Sequence, residues 1–288
     1  DGSGIVLPDI APPWDGLLGM LRARGWSWRE RAALLAAAGR WRFGGFRCAP
    51  GTSVGTLCAD LPPRVLQAFV EPLCLSALNT AMPQASGQVF LRVLRDALLG
   101  GPGGSNLLIP QRPLGQLFPE PAVDWLRAQG QRVHLGQRVQ TLQRAGAQWQ
   151  VDGQAFDRVL LACPSWEAVR LLRDLADAEA WCVQAQALHF TAIATVYARS
   201  AARLPRPMVA LPSAPDAPAQ FVFDRSHLDS DAPGQLLAFV ISVSEGTREA
   251  LEQAVLRQAR VQLGLAGLQP VTTIVEKPGN RQAAPSDL

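Results

Sequence analysis

Apolar residues recur at helical i, i+3, i+4 spacing along the first hundred positions and at the two-residue spacing of strands along the last hundred. Trp28, Ala32, Leu35 and Gly39 mark a helical stripe within Trp28 to Phe46, with arginines over much of the other side. Pro62-Pro63 suits the first turn of a helix. Val65, Leu66, Phe69, Val70, Leu73, Cys74 and Leu78 then give apolar coverage too wide for a surface element, so Leu61 to Leu78 is predicted as a mostly buried helix. A third helix opens at Pro83 and runs through Val89, Phe90, Val93, Leu94 and Leu98. The loop Gly100-Gly-Pro-Gly-Gly104 ends it.

After that loop the pattern becomes mixed. Pro119 to Ala128 reads as a short helix closed by Gly130, and Arg132 to Leu135 and Arg138 to Gln143 alternate as strands do. Asp152-Gly153, between Trp149-Gln-Val151 and Ala155-Phe156, is a two-residue hairpin signal. Arg158-Val-Leu-Leu-Ala-Cys-Pro164 is apolar on both faces, which fits an interior strand of a covered, largely parallel sheet, and Ser165 to Leu172 follows as a helix. Thr191 to Tyr197, Gln220 to Phe223, Leu236 to Val243 and Thr272 to Val275 read as a second sheet. Thr247 to Leu263 is an amphipathic helix capped by Thr247. From Pro278 the chain turns polar, and a disordered end is predicted.

A chain of 288 residues with 48% hydrophobic content can bury one large core or two ordinary ones. It has no stretch of about 18 uncharged apolar residues, the length a spanning helix needs. The net charge of +3 is too small to imply a nucleic-acid partner, but its distribution is uneven. Seven arginines stand against the single acid Glu30 between Leu21 and Arg47, interleaved with Trp26, Trp28, Trp41, Phe43 and Phe46. Two readings stay open. One is a solvated helix face with its aromatics turned inward; the other is peripheral contact with an anionic membrane through Trp28, Arg29, Arg40, Trp41 and Arg42.

Five cysteines without CxxC spacing indicate a reducing compartment, hence a cytoplasmic protein, with membrane contact placing it on the inner face of the plasma membrane. Three scattered histidines make a metal centre unexpected. Gly51-Thr-Ser53-Val-Gly55 matches GxSxG but lacks the preceding strand and long following helix of a nucleophile elbow, so it reads as a loop leading into a short capped helix. Gly100 to Gly104 has Asn106 where a GxGxxG motif needs its last glycine.

Glu71 and Asn79 are eight residues apart, about two helical turns, and would project from nearly one face. A buried carboxylate is costly unless paired, and Arg92 or Arg95 could neutralise it. The pair is either a structural polar contact between packed helices or a polar anchor in an apolar cavity that handles a proton.

The block Glu71-Pro-Leu-Cys-Leu-Ser-Ala-Leu-Asn-Thr80, with Gln84-Ala-Ser and Val89-Phe-Leu-Arg-Val-Leu-Arg-Asp96, resembles the hydroxysqualene dehydroxylases. These belong to the flavin amine oxidase and phytoene desaturase superfamily. Asn106-Leu-Leu-Ile-Pro110, Leu117-Phe-Pro-Glu-Pro121, Asp157-Arg-Val-Leu-Leu-Ala162, Ile193-Ala-Thr-Val-Tyr197, Leu204-Pro-Arg-Pro-Met208 and Val275-Glu-Lys277 agree in order, so the resemblance covers about Leu17 to Lys277.

The resemblance implies an α+β fold, with part of a Rossmann-like FAD-binding domain beside a mixed-sheet substrate domain carrying a helical lobe. Residues 1–130 would be the mainly helical, membrane-facing lobe, 131–173 the remnant of the FAD domain, 174–277 the substrate sheet and 278–288 the tail. FAD would meet the backbone at Val139 and the turn Ala162, Cys163 and Pro164. The substrate would be an apolar isoprenoid alcohol: hydride from reduced flavin would reach the allylic carbon of hydroxysqualene as its hydroxyl leaves, giving squalene. Glu71, with Asn79 nearby, is the candidate for assisting that departure. Family members carry a strand with GxGxxG that binds the pyrophosphate and continue past the Val-Glu-Lys motif. The chain is therefore expected to be incomplete at both ends and to hold FAD poorly alone. Competing readings are a lipid or membrane-surface binding module without catalysis, and another flavin desaturase or amine oxidase.

Overall fold

The computed structural model describes residues 10, 14–98, 108–227 and 235–280. The glycine cluster Gly100 to Gly104 lies outside them. Its residues form two compact units, 1–111 with 190–288, and 112–189. This grouping differs from the division expected above, because the first hundred residues share hydrogen bonds with the C-terminal sheet.

The N-terminal segment is helical: α1 (Trp14–Leu21), α2 (Trp28–Phe43), α3 (Val54–Leu57), α4 (Pro63–Val65), α5 (Glu71–Leu78) and α6 (Gly87–Val93). Ser27 starts α2 with a capping box, its hydroxyl accepting from the Glu30 N–H while the Glu30 carboxylate accepts from the Ser27 N–H at 2.7 Å. Those bonds hold the Glu30 carboxyl below its ordinary range. Leu34, Ala37 and Trp41 form the buried face of α2, whereas Trp28 and Ala32 of the expected stripe are exposed. Aromatic and small apolar residues lie on two sides of the helix, so its spacing admitted two inward faces, and Trp41 won by packing edge-on against Phe90 at 6.5 Å.

Ser53 caps α3, so the GxSxG segment is the capped turn expected from its context. The long helix expected from Leu61 to Leu78 is interrupted by a π turn at Leu66–Val70. Pro72 explains the break: it has no N–H, so the carbonyl four residues earlier cannot be bonded in α geometry, and the widened turn absorbs the mismatch. A second π turn, Leu94–Leu98, extends α6. Val54, Val65, Val70, Cys74, Leu78, Phe90 and Leu91 are the centre of this lobe's core.

The second unit contains α7 (Leu114–Leu117), α8 (Pro119–Ala128), the meander β1 (Leu142–Ala145), β2 (Gln148–Val151) and β3 (Gln154–Phe156), then α9 (Ser165–Leu172) and α10 (Glu179–Gln186). Asp152 and Gly153 turn β2 into β3 with φ of 49° and 84°, as the Asp-Gly pair requires. The strand expected at Arg132 to Leu135 is irregular, and of the strand expected at Arg138 to Gln143 only Leu142 and Gln143 are in β1. The run Arg158 to Pro164 pairs with no strand among the described residues, and Leu160 is 91% exposed. Its two apolar faces called for neighbours on both sides, and this unit's three strands are all joined within the meander.

A five-stranded sheet follows: β4 (Phe190–Ser200), β5 (Met208–Ala210), β6 (Phe221–Asp224), β7 (Gln235–Ile241) and β8 (Gln269–Asn280), in the order β5-β6-β7-β4-β8. Every pairing is antiparallel, where a mixed sheet was expected. Helix α11 (Arg248–Leu263), capped by Thr247, supplies Leu251, Val255 and Ala259 to a core with Val196, Val222, Leu237 and Phe239. Pro278 to Asn280, expected in the polar tail, belong to β8; Pro270 and Pro278 sit at its two register shifts, where a residue without an N–H costs no ladder bond.

At Gly87 backbone packs directly against backbone. Its N–H donates to the Thr52 carbonyl at 2.8 Å, and a Cβ there would lie 2.9 Å from that oxygen. Gly87→Ala is expected to destabilise by about 1–3 kcal/mol, read from the urea midpoint at unchanged slope.

Candidate functional site

The amide of Asn79 is the polar centre of the helical lobe. Helix α5 ends at Leu78, and Asn79 enters the left-handed region at φ 46°, directing its side chain to the sheet. Its Nδ2 donates to Thr191 Oγ1 at 2.8 Å, that hydroxyl donates to the Asn79 carbonyl at 3.0 Å, and its Oδ1 accepts from the Val243 N–H at 3.0 Å. One residue thus bonds the start of β4 and the chain leaving β7.

Val243 itself has φ 52°, a costly conformation for a β-branched residue. Its neighbours hold it there. Gln220 accepts from the Ser242 N–H at 2.7 Å, and the Ser244 N–H donates to Ala192 at 2.8 Å. Strain of this kind persists where the surroundings over-determine it, and often marks a working part of a protein.

Glu71 lies in the first turn of α5 and is half-buried. The partners expected for it are engaged elsewhere: Arg92 and Arg95 lie 3.4 and 2.7 Å from Asp96. Glu71 forms no ion pair among the described residues. The Cys74 thiol, one turn on, is pushed up to about 12 by burial, with Cys58 and Glu71 adding to the effect. The common face expected for Glu71 and Asn79 is broken by the left-handed turn, so the structure does not bring the two together as a pair.

Of the residues expected to meet a cofactor, Val139 is half-buried and Ala162, Cys163 and Pro164 are exposed. Arg170 organises this part of the second unit. It donates to the carbonyls of Val139 at 2.6 Å and Gln140 at 3.2 Å and pairs with Glu167 at 2.9 Å, while Arg138 bonds the same carboxylate. Pro164 precedes α9 without a side-chain cap, and its carbonyl accepts from the N–H groups of Glu167 and Ala168 at 3.0 Å. A pyrophosphate needs a glycine-rich turn between a strand and a helix, and the described residues contain none, so by themselves they do not fit FAD. Among the described residues no cluster of three metal-ligating side chains forms, and no helix is long and apolar enough to cross a membrane.

The fold is α+β, as expected, and is similar to the folds of solved enzymes. An oxidoreductase from Methanosarcina mazei superposes with a TM-score of 0.66 at 15% identity over 90% of this chain and 64% of that one. Reduced UDP-galactopyranose mutase gives 0.57 at 12% identity over 90% of this chain and 61% of that one. In sequence, the chain is distantly and partially homologous to hydroxysqualene dehydroxylases. It is 35% identical to that of Rhodopseudomonas palustris over 116 residues, 37% of this chain and 28% of the relative. With that of Zymomonas mobilis it shares 26% over 132 residues, 43% of this chain and 32% of the relative. The match thus spans less than a third of either curated relative. No protein-family profile matches the chain.

Sequence reasoning singled out Asn79 but missed its partners Thr191 and Val243, which lie 112 and 164 residues away. Asn79→Gly and Asn79→Ala should each cost about 1–3 kcal/mol by stranding the Val243 N–H and removing the amide donor to the Thr191 hydroxyl. Alanine should cost about 1 kcal/mol more, because only glycine enters the left-handed region freely. Chemical denaturation of both variants separates the two contributions.

Two carboxylates, the half-buried Glu167 and the exposed Asp152, give the second unit an acid-sensitive element. Glu167 is held low by Arg170 and Arg138, and Asp152 by the N–H groups of Thr141 and Gln140. Their stabilising effect is present above the ordinary carboxylate range, about pH 4, and is lost as pH falls through the lowered folded values. In acid titrations followed by circular dichroism, Asp152→Asn and Glu167→Gln should each show a shallower loss of stability below that range than the parent.

Proposed function

We propose that this chain is part of a flavin-dependent oxidoreductase that reductively removes the hydroxyl group of hydroxysqualene to give squalene. The observation that carries this reading is the 35% identity to a hydroxysqualene dehydroxylase over 116 residues. The flavin amine oxidase-like fold supports the broader oxidoreductase class. Within such an enzyme the helical lobe and the sheet joined to it at Asn79 serve the apolar substrate. The redox step falls to no residue of this chain.

Glu71 is the acid we assign to hydroxyl departure. It is half-buried at the start of a helix whose neighbours Leu75 and Leu78 are apolar and buried, and both nearby arginines are committed to Asp96. Protonating a leaving hydroxyl lets it depart as water, and such general-acid assistance is worth about 10²–10⁴-fold in rate.

The test has two readouts. On the purified chain, hydroxysqualene should bind saturably, followed by tryptophan fluorescence, and should bind better than a carotenoid. In a complete flavoenzyme that carries this segment, squalene formation with FAD and a chemical reductant is followed by gas chromatography. Failure to bind hydroxysqualene would sink the substrate assignment. Glu71→Gln should leave binding unchanged and slow turnover about a hundredfold; undiminished turnover removes Glu71 from the reaction.

A further inference from the structure

The outward face of α2 is apolar, contrary to what a solvated helix presents. Trp28 is 70% exposed and Phe43 93% exposed. They are fifteen residues apart, about 4.2 turns, so they project within about 60° of each other and about 22 Å apart along the axis. Ala32 and Ala36 fill the stripe between them and are also exposed. The side opposite is the buried face of Leu34, Ala37 and Trp41.

Charge flanks this stripe in one sign. Arg22, Arg24, Arg29, Arg42 and Arg47 are exposed and form no ion pair among the described residues. Arg40 reaches Asp60 at 3.8 Å with both side chains in solvent, a pairing too weak to neutralise it. Glu30, the acid of the segment, is spent in the capping box. Arg31 makes the platform rigid. It donates to the carbonyls of Leu21, Ala23 and Trp26 at 2.8, 2.5 and 3.0 Å, and its guanidinium lies 4.8 Å from the Trp28 ring. The exposed tryptophan is therefore supported from beneath, and Leu21, 42% exposed, is tied to the same guanidinium through its carbonyl.

We propose that α2 docks this face onto an anionic lipid bilayer, lying in the interface plane with Trp28 and Phe43 among the upper acyl chains and Arg29, Arg40 and Arg42 toward the headgroups. Aromatic anchors at both ends of a helix, a small-residue stripe between them and unneutralised arginines at its flanks match an interfacial helix. The charge complementarity singles out an anionic bilayer among the possible occupants. The inference is independent of the catalytic reading, since no flavin or isoprenoid enters it. Trp41, included in the surface expected from sequence, faces the core and takes no part; Phe43 replaces it.

Sedimentation with phosphatidylcholine vesicles containing phosphatidylglycerol, against pure phosphatidylcholine vesicles, is the test. The full chain should bind the anionic vesicles, and added salt should weaken binding. Trp28→Ser with Phe43→Ser should lower partitioning at least about tenfold, and Arg29→Gln or Arg42→Gln about fivefold each. Ala36→Asp, which places a charge mid-stripe at an exposed position, is a second variant that leaves the core untouched; circular dichroism reports its fold. Equal binding to neutral vesicles overturns the proposal, as does parent-like binding by Ala36→Asp. Failure of the parent chain to bind, the result expected if another polypeptide segment covers the face, overturns it equally.

Discussion

The attachment of the helical lobe to the C-terminal sheet turns on a single amide in a left-handed turn. Asn79 ends α5, and the conformation that ends the helix also aims its side chain at β4 and at the chain after β7. Ending and joining are one event. A residue with the right hydrogen-bonding groups but no tolerance for positive φ would lose the geometry. Glycine would keep the turn and lose the bonds. Asparagine combines a short bifunctional amide with access to the left-handed region. The strain at Val243 sits in the same arrangement: its N–H donates to the Asn79 amide oxygen, while Gln220 and Ala192 bond its neighbours Ser242 and Ser244.

Local chemistry was legible in the sequence wherever a few neighbouring residues decide the outcome. Asp152-Gly153 forms its hairpin, Thr247 caps α11, and Ser53 turns an apparent nucleophile motif into a helix cap. The π turn before α5 was legible in principle from Pro72, whose missing N–H had to be accommodated somewhere in a long apolar helix. What the pattern could not decide was direction. Helix α2 is apolar on both sides, so spacing alone allowed Trp28 or Trp41 to face the core. The run Arg158 to Pro164 shows the same limit in a strand: its composition states a demand for burial on two faces but not which partners meet it. The joining role of Asn79 was hidden for a third reason, since its partners are brought to it by the whole fold.

The two arginine settings in the helical lobe show how one side chain type performs opposite tasks. Arg31 spends its charge inward, satisfying the last carbonyl of α1 and two in the connection to α2, and presents a flat ion to Trp28. A lysine could not reach three acceptors and stack at once, because it lacks the planar fork. Arg29 and Arg42 on the same helix keep their charge outward. Structural and peripheral cations thus alternate along α2, and the formal charge of the chain, +3, conceals both.

The strand order β5-β6-β7-β4-β8 has a kinetic meaning. Strand β4 lies between β7 and β8, so it stays open on one side until β8, well downstream in sequence, has been made. The α1–α6 helices, rich in short-range contacts, are synthesised long before their anchor points at Thr191 and Val243 exist. Assembly therefore runs from a quickly formed helical lobe to a late capture by the sheet, in keeping with the slowness of pairings far apart in sequence. During translation the Asn79 amide waits in water, and its capture by the sheet turns two folded pieces into one.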